Sequence, residues 1–173
     1  MVPRFSIQWL SAVALAFGSL VHWGLARGAS DTTAQLQAHF DSESNSVHKA
    51  KAFEKLADAQ IRDARVAQKA SDFSAVGFIW EKFRNNVRAV LAALKKQHPN
   101  AEKQSNGYRQ LEITTRLGIR ELDQTIIEVP DPYKPPLTLV HKDLVAMDDE
   151  MLKLLFPRRV LDQPAEPAKE NPQ

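Results

Sequence analysis

From Phe73 to Leu94 the residues Phe73, Val76, Trp80, Phe83, Val87, Val90 and Leu94 recur at alternating intervals of three and four without interruption. An α-helix brings that spacing onto one side, so the stretch predicts a long amphipathic helix that must bury its stripe against something else. The same rhythm returns in Ala50, Phe53, Ala57, Ile61, Ala64 and Ala67, in Tyr108, Leu111, Thr115, Ile119, Leu122 and Ile126, and in Leu137, Val140, Leu144, Met147, Met151 and Leu154. Strand-like alternation is essentially missing. The chain therefore predicts an all-α fold in which antiparallel helical hairpins close as an up-down-up-down, four-helix-bundle-like domain.

Local signals set the boundaries. Ser46 is the expected N-cap of a helix over 47–70, and His98-Pro99 ends the next one because the residue before proline is pushed out of helical geometry. A further helix is expected from near Gln104, after a loop containing Asn106-Gly107. The four prolines from Pro130 to Pro136 predict a stiff, extended connector, followed by a helix from Leu137 to Pro157. Upstream, a short helix over 30–40 carries Leu36 and Phe40, with Ser30 or Asp31 as its cap. The expected organisation is a signal at 1–28, a leading helix and linker at 29–46, one helical domain at 47–160 and a disordered, proline-rich tail at 161–173.

Charge adds a pairing. Lys82, Arg84, Arg88, Lys95 and Lys96 make the helix that starts at Phe73 basic, and Asp143, Asp148, Asp149 and Glu150 make the last helix acidic. Surface pairs contribute only about 0–1 kcal/mol each, yet opposite signs select between alternative neighbours.

Lys55-Leu-Ala-Asp58, followed by Lys69-Ala-Ser-Asp-Phe-Ser-Ala-Val76 and Trp80, resembles a tetratricopeptide helix pair. A small residue stands where the first helix meets its partner, and a Gly-Asp-Tyr-like turn follows. The likeness is local: Ser71 occupies the turn position that prefers glycine, Val76 a position where alanine is usual, and the first helix exceeds what the repeat's roughly 34-residue period allows. Residues 104–156 carry neither the turn nor the spacing, so the resemblance implies one hairpin with such packing rather than a solenoid.

The amino terminus bears on compartment. Arg4 precedes an apolar stretch from Ile7 to Leu25, and Ala26 and Gly28 supply the small residues of a signal-peptidase site, so residues 1–28 predict an export signal cleaved after Gly28. An uncleaved anchor is the alternative, since roughly 20 residues cross a bilayer as a helix. Cleavage takes Arg4 and Arg27 from a chain with 23 basic and 21 acidic residues, which leaves the mature form neutral and argues against nucleic acid as a partner. No cysteine is present, so neither disulfides nor a lipobox is available. The mature chain of about 145 residues is long enough to bury close to 70% of its unfolded surface as one domain.

Chemistry-bearing patterns are sparse. The five histidines are scattered, and His39 with Glu43 spans the expected helix break. Asp148, Asp149 and Glu150 are consecutive and therefore point about 100° apart around a helix. Met147, Met151 and His141 raise the alternative of an exported bundle holding haem or a metal, although the methionines lie on the core stripe and no Cys-x-x-Cys-His site exists. No Gly-x-Ser-x-Gly elbow occurs, and Trp80 sits on the core stripe. The expectation is a non-enzymatic, cofactor-free, exported module that binds another envelope or secreted protein, touching membrane only through an uncleaved signal. The basic row Lys82, Arg84, Arg88, Lys95 and Lys96 is its candidate partner surface, with Phe78 and Tyr133 exposed nearby.

Overall fold

The computed structural model describes residues 27–157; the apolar segment of the expected signal and the 161–173 tail lie outside them. The described residues form five α-helices and no strand: α1 (Arg27–Ser42), α2 (Ser46–Lys69), α3 (Phe73–Gln97), α4 (Asn106–Glu128) and α5 (Lys134–Leu155). None of them is long and apolar enough to cross a membrane.

Three local expectations need correction. The leading helix begins at Arg27, so Ser30 and Asp31 lie inside it rather than capping it. The cap of α2 is Asn45, whose side-chain oxygen accepts from the backbone N–H groups of Val47 and His48, while Ser46 is already helical and buried. The proline run is not an extended connector. Asp131–Tyr133 is a 3-10 turn, and Pro135 and Pro136 occupy the first turn of α5. A proline there costs no hydrogen bond, because the first N–H groups of a helix have no intrahelical acceptor.

The turn between α2 and α3 accounts for the glycine-like position. Ser71 has φ 58°, the only positive φ at a non-glycine residue among the described residues. Its N–H donates to the Gln68 carbonyl and that of Asp72 to the Ala67 carbonyl, the two bonds of a Schellman ending. Asp72 then caps α3 by accepting from the Ala75 N–H.

Hairpin α2/α3 is antiparallel, with Gln97 near the end of α3 accepting from the Ser46 N–H. Hairpin α4/α5 is antiparallel too, tied by His141 to Asp123 at 2.9 Å. Between hairpins the helix directions are those of an up-and-down circuit, but the neighbours are not in chain order. Glu54 accepts from Gln110 and Glu121 from Arg65, each across 56 residues of sequence, so α2 and α4 run parallel at constant register. Helices α3 and α5 are also parallel: Asp143 lies against Arg84 and Arg88, and Glu150 against Lys95 further along both helices. The backbones of α2 and α5 do not meet. The second hairpin is therefore laid beside the first rather than closing a ring in chain order.

Small residues permit that seating. Gly118 lets α4 approach α3 so closely that any Cβ there would fall within the envelope of the Phe83 ring, and a Cβ on Gly107 would lie 2.5 Å from Cδ2 of Leu94. Phe83 is wholly buried and stacks obliquely on Phe53 at 5.3 Å and Trp80 at 5.4 Å; Phe53 in turn meets Phe40 at 6.0 Å. This aromatic chain draws α1 into the core. Lys49 fixes the end of α1 by donating to the carbonyls of Phe40 and Glu43.

Candidate functional site

The basic row on α3 divides in two. Arg84 Nη1 and Arg88 Nη2 both reach Asp143 Oδ2 at 3.3 Å, and Lys95 Nζ reaches Glu150 at 2.5 Å, so these three cations hold α5 in place. The hydrogen bond and charge of Glu150 hold the Lys95 ammonium above its ordinary pKa. The neighbour pairing expected from opposite charges is present. Lys82 and Lys96 stay exposed, Lys82 with its ammonium 4.8 Å above the Phe78 ring, and Phe78 is itself exposed. Tyr133 is partly tied down by Phe73, with ring centroids 5.2 Å apart.

The other singled-out residues do not converge. His39 is exposed near the end of α1, and Glu43 accepts from the Asn45 N–H. Asp149 faces solvent, Glu150 faces Lys95, and Asp148 is half-buried toward α4, where Glu112 and Arg116 form an ion pair. Burial, and then the Glu112 charge, raise the Asp148 carboxyl above the usual carboxylate range. Its Oδ1 is buried without a hydrogen-bond partner. Met147 and Met151 are core residues, as is Trp80. Among the described residues no cluster of three or more His, Asp or Glu side chains is arranged to hold a metal.

A surface that the sequence did not single out arises from the parallel pairing of α2 and α4. Residues 53, 57, 60 and 64 of α2 and residues 107, 111, 118 and 122 of α4 turn inward and are buried. Half a turn away, the outer row of α2 carries Lys51, Lys55, Asp58, Arg62 and Lys69, and that of α4 carries Arg109, Ile113, Leu117, Arg120 and Ile127, all exposed. Near the carboxyl ends of the two helices the rows open into a cleft of ≈ 630 Å³ lined by Arg65, Lys69, Arg120, Glu121, Gln124 and Glu128 among others. On its floor Arg65 pairs with Glu121, and the amides of Gln68 and Gln124 donate to Glu128. The six outer cations Lys51, Lys55, Arg62, Lys69, Arg109 and Arg120 have no ion-pair partner among the described residues. Each row alone reads as an ordinary solvated helix face, so the sequence signal was present but not distinctive. No family model matches this sequence, and no match is found among curated proteins or solved structures.

Proposed function

We propose that this chain is an exported helical module that acts by binding another protein in the periplasm or extracellular space, without catalysis of its own. The observation that carries this reading is the parallel seating of the second hairpin on the first. Helical hairpins stacked in that way build elongated, solvent-facing surfaces, which tetratricopeptide and related repeat proteins use for recognition. In this reading the two hairpins form one bundle-like unit of tetratricopeptide-like packing, α1 covers its first edge, and residues 1–28 direct it out of the cytoplasm. The unpaired cations Lys82 and Lys96 on α3, and the outer rows of α2 and α4, are its contact areas.

The test is photo-crosslinking in the source cell, using the full chain with a benzophenone amino acid at Lys82, Lys96, Arg62 or Arg120. A binding module gives a discrete adduct with another protein from at least one face. A chain that forms no adduct at any of these positions is not such a module. Sequencing of the exported form is expected to start at Ala29. A visible absorption band or stoichiometric metal in the purified protein would favour the cofactor-holding alternative.

A further inference from the structure

We infer that the α2–α4 face is a docking site for an acidic peptide segment bearing aliphatic side chains, supplied by a partner protein. This rests on the protein-binding reading above and specifies its surface and its ligand chemistry. Charge complementarity carries it. The two outer rows hold six cations without ion-pair partners and a single acid, Asp58, whereas the carboxylates along the α2–α4 seam, Glu54, Glu121 and Glu128, are engaged by Gln110, Arg65 and the amides of Gln68 and Gln124. Four lysines and arginines on α2 thus lie alongside two arginines on α4, with Lys69 and Arg120 lining the cleft between them, a field that draws anionic groups.

The apolar component is specific to α4. Ile113, Leu117 and Ile127 are 56%, 45% and 72% exposed on the row that carries Arg109 and Arg120. Aliphatic side chains between cations fit a ligand that alternates carboxylates with apolar groups, and fit poorly a purely anionic chain. From Lys51 to Lys69, and from Arg109 to Ile127, each row extends about 27 Å, which matches roughly five turns of helix. At the carboxyl ends of the two helices the face is recessed, and the side-chain oxygens of Gln68 and Gln124 there accept no hydrogen bond among the described residues, so they remain available to a peptide's backbone N–H groups. A flat lipid surface would reach the outer rows but not the amides within that cleft, which a peptide can engage.

The experiment is fluorescence anisotropy of the full-length chain with a labelled peptide of about 18 residues built from Glu, Leu and Ala. Parallel arms use the same peptide with Leu replaced by Ser, and vesicles of phosphatidylglycerol. Binding of the Glu/Leu peptide is expected to weaken about tenfold or more in the double variant Arg62→Glu/Arg120→Glu, to weaken in Ile113→Ser/Leu117→Ser, and to be unchanged in Lys142→Glu/Lys153→Glu on α5. All six positions are exposed, and circular dichroism verifies that each variant keeps its helices. Absence of binding, equal binding of the serine peptide, equal loss in the α5 variant, or binding of the vesicles in place of the peptide would each overturn the assignment. If crosslinks to a partner form from Lys82 or Lys96 while the peptide fails to bind, this face is wrong and the module reading stands; if no position crosslinks, the module reading falls with it.

Discussion

Replacing Gly118 with alanine sets two effects of known sign against each other. In a helix interior alanine is better than glycine by about 1 kcal/mol, so on propensity alone the variant gains stability. At Gly118 the new methyl group meets Cζ and Cε1 of Phe83. A free phenyl ring would swing aside, but this one is fully buried and flanked by Phe53 and Trp80. Forcing an extra carbon into such packing costs roughly 1–3 kcal/mol, so the overlap cancels or outweighs the propensity gain and the net loss is about 0–2 kcal/mol. Gly77 is the internal control, because a Cβ there meets nothing within 4 Å, and Gly77→Ala is expected to gain about 1 kcal/mol. Urea unfolding followed by circular dichroism and by tryptophan fluorescence measures both; in a chain starting at Ala29, Trp80 is the sole tryptophan and touches Phe83. In a Phe83→Leu background the Gly118→Ala penalty should vanish. A Gly118→Ala protein as stable as Gly77→Ala would refute the close approach of α4 to α3.

Three further outcomes follow from local structure. Ser71→Gly relieves a left-handed backbone at a non-glycine residue and should raise stability by about 1 kcal/mol in the same assay. Asn45→Ala leaves the Val47 and His48 N–H groups without their acceptor and should cost about 1 kcal/mol. The raised Asp148 carboxyl has a folded pKa above its unfolded one, so its ionised form opposes folding at neutral pH, and the penalty disappears as pH falls through the folded value. Asp148→Asn should therefore melt higher than the parent at pH 7, with the difference closing by about pH 4, where the unfolded carboxyl also protonates; a difference that does not change with pH would rule out this cause.

The helices were legible because periodicity reports which side of a segment is buried. The stripe through Trp80, Phe83 and Val87 is core from end to end. Periodicity does not report which helix covers that side. The α3–α5 pairing was readable because its charges have opposite signs, as in Arg84 with Asp143. That α2 lies directly against α4 was not, because this contact rests on isolated pairs such as Glu54 with Gln110 and on the close approach of Gly107 to Val47, neither of which leaves a local pattern. Asn45 and Ser46 are both good caps, and sequence does not choose between adjacent candidates. The prolines at 135 and 136 misled because a first helical turn accepts the residue that breaks any later one. The candidate face was hidden for the same reason as the fold: two unremarkable polar rows become one groove only after α2 and α4 lie side by side.

The parallel register itself is open to a direct check, since the chain contains no cysteine. Paired cysteines replacing Glu54 and Gln110, or Arg65 and Glu121, should form disulfides under oxidation far faster than the exchanged pairs 54 with 121 and 65 with 110. The exchanged positions are displaced along the helices by about 16 Å, far beyond the roughly 7 Å that a disulfide spans between Cα atoms. Crosslinking confined to the first two pairs is the result the parallel stack requires. Crosslinking of the exchanged pairs instead would mean that α2 and α4 run antiparallel and that the groove does not exist.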